Sequence, residues 1–318
     1  ILVMLDNRQG STTIGRLKVG IKYIIENNEL KASDLEAGEL AKAIGNLSNL
    51  TSITVTSGTL NKDDWAAIKQ NIGSLETIDL AGATYTGDDS NNWIYKGNTS
   101  NNNTLTTVKL PQGVTALGRE AFYRCSALTT VTLPEGLTDI GSYAFYYCSA
   151  LTTINLPEGL TSIGNSAFQY CGALTSITLP KTLTSIGNEA FYRCSTLTTV
   201  TLPEGLTSIG NYVFYGCSAL TSITLPEGLT SIGDNAFSNC SALTTIDLPE
   251  RLTSIGNYAF YNCALTTVTC RGTTPPTLGS DAFLFCNALK AIYVPTEAVG
   301  TYQGAKNWSA YSGIIQAK

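Results

Sequence analysis

Apolar positions along most of this chain recur at intervals of 23 residues. From Leu105 the pattern reads L-T-x-I/V-x-L-P-E-G-L-T-S-I-G-x-x-A-F-x-x-C. Cysteine keeps the interval at Cys125, Cys148, Cys171, Cys194, Cys217, Cys240 and Cys263. Phenylalanine keeps it from Phe122 through Phe145, Phe168, Phe191, Phe214 and Phe237 to Phe260, and proline from Pro111 to Pro249. A fixed period of this length predicts a repeat solenoid. One coil cannot bury its own apolar face, and stacking joins those faces into a continuous core.

The coil from Leu128 to Ala150 shows what each position is for. Val131 and Leu133 alternate with Thr130 and Thr132, so a short strand points the former inward and the threonines outward. Pro134 lacks the N–H that would continue the strand. Glu135-Gly136 reads as a turn, and Gly141 as a second, because glycine tolerates positive φ. Leu137 and Ile140 return the chain to the core. Ala144 and Phe145 bury through a short helical or 3₁₀ turn, and Cys148 closes the unit. Stacked coils set equivalent side chains about 4.8 Å apart, in ladders.

Three regions follow: an N-terminal region and cap over 1–104, about eight repeats over 105–288, and a C-terminal cap over 289–318. Ile1 to Met4 reads as a strand of a preceding domain or as a disordered start. Ser33-Asp34-Leu35-Glu36 has the form of a capping box opening a helix to Ile44. Asn61 caps a second helix over 62–72, with Trp65, Ile68 and Ile72 on one face. Asn49 to Thr56, and Leu75, Ile78 and Leu80, mark strands. Parallel strands are expected from Thr51 to Val294, and Tyr302, Trp308, Tyr311 and Ile314 are expected to close the last coil.

The pattern L-P-x-x-L-x-x-I-G-x-x-A-F-x-x-C-x-x-L, from Leu105 to Ala288, resembles the BspA-type leucine-rich repeats of bacterial surface proteins, abundant in Bacteroides. The Asn ladder of the commoner leucine-rich repeat is absent from it. The resemblance implies a right-handed superhelix with a parallel β-sheet face, and short turns or 3₁₀ segments opposite. It also implies an extracytoplasmic protein, on the cell surface or secreted, that acts in adhesion or protein binding, including binding to host proteins.

Composition narrows the function further. Charged residues make up 14 % and the net charge is −5, which argues against a nucleic-acid partner. No run of 18 apolar residues marks a membrane span. The start at Ile1, with no leader, leads us to expect a mature fragment whose export signal was removed. Seven of the nine cysteines share one repeat position, where parallel Cβ vectors suit disulfide torsions poorly. They are expected as buried free thiols. Cys270 and Cys286 lie off that column or in the degenerate last repeat, and a bridge between them stays open.

No chemistry of catalysis is visible. With no histidine, the Ser-His-Asp and Cys-His systems and the commonest zinc ligand are missing. Glu135, Glu158, Glu204, Glu227 and Glu250 form a solvated stripe of turn residues rather than two carboxylates across a cleft. Asp88, Asp89, Asn91 and Asn92, in the polar stretch 87–103, lack the order of a calcium loop. We therefore expect a non-enzymatic protein with no cofactor and no metal.

Two surface arrays remain. The first is a sheet of hydroxyls from Thr130, Thr132, Thr153, Thr178, Thr199, Thr201, Thr224 and Thr245, interrupted by Asn155 and Asp247. It suits a broad protein partner, although threonine also simply favours exposed strand positions. The second is aromatic: Tyr123, Tyr146, Tyr192, Tyr215 and Tyr261 each follow the core Phe, and Tyr143, Tyr212 and Tyr258 precede it by two. Such rings stack on sugars, or cover the Phe turn. Protein binding is the first reading. Glycan binding through the tyrosine face and a structural spacer are the alternatives.

Overall fold

A computed structural model describes residues 3–5, 12–16, 21–45, 47, 49–86 and 102–318. The chain divides into two units, Ile1–Pro157 and Glu158–Lys318. Both are stacks of repeat coils whose short strands pair in parallel.

The first unit opens with an antiparallel meander. Val3–Leu5 pairs with Thr12–Arg16, then Ile21–Glu26, then Glu29–Ala32. Of the stretch Ile1 to Met4, the described residues Val3 and Met4 lie in a strand that pairs with the next one. Asn27 and Asn28 turn the last hairpin with φ of 51° and 65°, values that asparagine tolerates best after glycine. Glu29–Ala32 then pairs in parallel with Ser52–Val55, so the parallel stack begins one strand before Thr51.

The helix expected from Ser33 begins six residues later. Helix α1 spans Glu39–Ile44, and Ser33 to Glu36 form no capping box. The next coil recruits that stretch instead: the Asp34 amide donates to Ser57 Oγ at 2.9 Å, and Leu35 bridges Gly58. The cap comes from another helix. Helix α2, Lys62–Asn71, starts at Asn61, whose side chain accepts from the Asp63 and Asp64 amides. Asp64, fully buried, accepts from the Gly38, Ala41 and Asn61 amides at 2.7, 2.9 and 2.9 Å. One carboxylate therefore satisfies orphan donors of both helices.

Each regular coil carries two strands. The first is the expected T-x-T run. The second is a two-residue strand in the T-S-I segment, such as Ser208–Ile209, which pairs in parallel with Ser231–Ile232. The Gly that follows is needed for close approach, not for a turn. A Cβ on Gly210 would lie 2.5 Å from Asn188 Oδ1, and one on Gly141 would lie 2.7 Å from the Leu117 carbonyl. Gly136, by contrast, faces open space and has no left-handed φ.

An asparagine ladder different from that of the commoner leucine-rich repeat runs through the residue after that Gly. Asn165, Asn188 and Asn211 each accept through Oδ1 from the equivalent amide of the next coil at 2.8 Å, and Asp234 and Asn257 continue the series.

The Phe turn is neither helical nor 3₁₀. It is a spiral of β-turns with a left-handed residue on each side of the phenylalanine. In the coil around Phe191 these are Glu189 (φ 60°) and Arg193 (φ 56°). Successive amides alternate: Tyr192 and Cys194 donate within the coil, while Glu189, Phe191 and Arg193 donate to Asn211, Val213 and Tyr215 of the next. A left-handed L-residue costs roughly 1–2 kcal/mol, offset here by pairing every amide of the turn.

The core phenylalanines are fully buried and stacked. Phe122–Phe145 in the first unit, and Phe168–Phe191–Phe214–Phe237–Phe260–Phe283 in the second, have centroids 5.3–5.5 Å apart. All nine cysteines are free and buried. Ladder thiols also bond between coils: Cys217 Sγ donates to the Phe191 carbonyl of the preceding coil at 3.2 Å. Cys286 belongs to this ladder, bonding the Phe260 carbonyl at 3.0 Å, while Cys270 sits separately in the strand Thr267–Cys270. Helix α3, Val299–Gly304, and the 3₁₀ segment Trp308–Ile314 cap the second unit. Tyr302 and Trp308 are buried, and Trp308 Nε1 donates to the Pro276 carbonyl at 2.8 Å. A last strand, Ile315–Ala317, extends the parallel pairing past Val294.

Candidate functional site

Threonine serves two purposes in these coils, and hydrogen bonding separates them. One set staples coil to coil. Thr198 Oγ1 donates to the Thr175 carbonyl at 3.3 Å, Thr221 to Thr198 at 3.2 Å, and Thr253 to Thr230 at 2.9 Å. The other set is the hydroxyl sheet. Thr130, Thr132, Thr153, Thr178, Thr199, Thr201, Thr224 and Thr245 are all exposed, while the residues between them point into the core. Among the described residues, none of these eight hydroxyls makes a hydrogen bond within the chain. Within the second unit, parallel register aligns such positions in rows, as in Thr199↔Ser222 and Thr201↔Thr224.

Charge interrupts the rows, which continue in Thr267 and Thr269. Asp247, which interrupts the hydroxyls, accepts from Arg271 Nη2 at 2.6 Å and from Nε at 3.2 Å, and Arg271 also pairs with Glu227. The hydrogen bond to Asp247 is the main cause that holds this guanidinium above its usual pKa range. The other turn glutamates, Glu135, Glu158, Glu204 and Glu250, are exposed.

The tyrosines that follow the core Phe pack on one another. Tyr123, Tyr146, Tyr192, Tyr215 and Tyr261 are half-buried. Tyr123 stacks on Tyr146 at 4.8 Å and Tyr192 on Tyr215 at 4.7 Å, so their faces largely cover one another. Arg124 and Arg193 lie over Tyr123 and Tyr192 at 5.4 and 5.9 Å. The outer rings are Tyr147, Tyr212 and Tyr258, at 46, 36 and 38 % exposure, with Phe285 at 51 %. All four occupy the left-handed positions beside the core Phe. Tyr147 and Phe285 were missed from the sequence, because the position two after Phe also holds Arg, Gly and Asn.

A groove of about 570 Å³ opens on the hydroxyl face of the second unit, between the strands Ser176–Thr178 and Thr199–Thr201. Thr178, Thr199 and Thr201 line it over an apolar floor of Leu179, Leu202 and Pro203, with Lys181 and Glu204 at its rim. Three of the expected hydroxyls are thus brought to one concave site. The others lie on the open rows. Among the described residues, no group of three or more His, Cys, Asp or Glu side chains is placed to hold a metal. Asp88, Asp89, Asn91 and Asn92 lie outside the described residues. No helix of the described residues is long and apolar enough to cross a membrane.

A family model, described as the BspA type leucine rich repeat region, matches residues 94–221 and 207–305 in six copies. Among solved structures, a leucine-rich repeat protein from Bacteroides ovatus is similar over 99 % of each chain, with 19 % identity and a TM-score of 0.58. A T. pallidum leucine-rich repeat protein is 25 % identical, covering 70 % of this chain and 87 % of its own, with a TM-score of 0.46. No curated protein matches the sequence.

Proposed function

Since the chain belongs to the BspA-type leucine-rich-repeat family, we propose that it is a non-enzymatic adhesion scaffold, displayed outside the cytoplasm, that holds a protein partner on its hydroxyl rows. The observation that carries this reading is the division of labour among the threonines. The stapling hydroxyls are used up in holding coils together, whereas the eight on the sheet face are exposed and free to bond elsewhere. A broad partner gains from such an array because each hydroxyl can both donate and accept. The surface location rests on the family resemblance.

Glycan binding is the second reading, and the exposed rings of Tyr147, Tyr212 and Tyr258 favour it. A binding screen of the purified chain against matrix proteins and a glycan array tests both. Thr199→Ala with Thr201→Ala should weaken a protein ligand by about tenfold or more. Tyr212→Ala with Tyr258→Ala should spare that ligand and weaken a glycan. A protein ligand that binds the threonine double variant normally would refute the hydroxyl-row reading.

A further inference from the structure

The coil 174–196 departs from its neighbours at Lys181, Thr182 and Thr196, among other positions, and Lys181 lines the groove. Lys181 stands where the other coils carry Glu135, Glu158, Glu204, Glu227 and Glu250. Thr182 stands where Gly136, Gly159, Gly205 and Gly228 do, and Thr196 replaces Ala. Thr182 ties this coil to the preceding one, and Thr196, near its end, closes it against its own first residue and Gly172. Thr182 Oγ1 donates to the Glu158 and Leu160 carbonyls, the latter at 2.8 Å. Thr196 Oγ1 donates to the Gly172 and Leu174 carbonyls at 2.8 and 3.0 Å. On the forward side the strand pairing is short. Thr199–Thr201 pairs with Ser222–Thr224 at three positions, but with the preceding strand only at Ser176↔Thr199. Thr178 and Thr201 are therefore not ladder partners, and the groove opens where that pairing ends.

We infer that this coil is an anchoring groove for an extended segment of a protein partner, one that sets an apolar side chain on the floor and a single acidic side chain against Lys181. The inference rests on the scaffold reading above and names what the hydroxyl face grips. The volume lies within the range of small-ligand and short-peptide sites. Leu179, Leu202 and Pro203 supply the apolar seat. Among the described residues, no carboxylate pairs with Lys181, although glutamates flank it in the repeat. Glu204, on the rim contributed by the next coil, repels a second carboxylate and so sets the direction of the segment. Thr178 and Thr199 are placed to bond its backbone.

The test uses the full chain and three fluorescein-labelled peptides, Val-Thr-Val-Asp and its forms ending in Asn or Lys, measured by fluorescence anisotropy. The Asp peptide should bind saturably and about fivefold more tightly than the Asn peptide, the upper range for an exposed ion pair. The Lys peptide should bind more weakly than both. Lys181→Gln should erase the preference, and added salt should compress it. Thr182→Gly, which removes the backward tie, should weaken the Asp and Asn peptides together. No binding, equal binding of the three peptides, or an unchanged preference in Lys181→Gln overturns the inference. If a matrix protein binds through Thr199 and Thr201 while the peptides fail, the groove falls and the scaffold stands. If the peptides behave as expected and no protein binds, the scaffold reading falls and a peptide site remains.

Discussion

Phe191→Ala tests whether the phenylalanine column holds the coils together. Phe191 is fully buried, and its ring is stacked between Phe168 and Phe214 at 5.5 Å on both sides, within 4° of parallel. Burial of such a side chain contributes about 1.5–3 kcal/mol. Two ring contacts add about 0.5–1.5 kcal/mol each. Those contributions add up to the same range as measured Phe-to-Ala changes in packed cores, about 3–5 kcal/mol. The backbone bonds of Phe191, from its amide to Val213 and from Cys217 Sγ to its carbonyl, do not need the ring. The coil should therefore loosen rather than lose its path. Because repeat coils couple to their neighbours, protection against hydrogen exchange should fall first across 174–219, and helix α2 should keep its protection. Equal loss across the whole chain, or a destabilisation under about 1 kcal/mol by urea titration, would refute the reasoning.

Three further outcomes follow from local geometry. Gly210→Ala forces a Cβ against Asn188 and should cost about 1–3 kcal/mol, whereas Gly136→Ala meets nothing and should add about 0.4–1 kcal/mol; urea midpoints moving together would contradict this. A thiol reagent should find nine reactive cysteines in the denatured, unreduced protein and almost none in the native one, since burial pushes Cys125 and Cys217 up to about 12. Glu39 links Lys22 at 2.9 Å to the Glu36 amide at 2.8 Å; burial raises its pKa, but these partners outweigh it and hold the carboxyl below the usual glutamate range. The stability it adds is present above that range and is lost as the pH falls through the depressed value, so acid titration of Glu39→Gln should lack this part of the slope.

Much of the molecule was legible because repetition turns local preference into long-range order. Once Phe122 and its successors share a spacing, stacking must bury them in a column. The spacing of Val131, Ile154 and Ile177 likewise sets which side of each strand faces inward. The family resemblance and the free thiols were readable for the same reason. Helix α2 was also readable, since Asn61 and Asp64 sit close in sequence and cap it locally.

What only the tertiary structure decided concerns groups whose partners come from a different coil. Ser33 and Glu36 carry a valid local signal for a helix start, yet Ser57 and Gly58 claim that segment, and Asp64 caps α1 from outside. The left-handed turns are invisible in Tyr143, Glu189 and Arg193, residues that avoid such φ unless the next coil takes their amides. The asparagine ladder was hidden because Asn165 bonds a residue 23 positions away. The same holds for the site. The sequence places eight threonines outward, but which hydroxyls are spent on carbonyls depends on the coil beneath. The groove lies at the coil where Lys181-Thr182 replaces Glu-Gly and Thr182 bonds carbonyls of the coil before it.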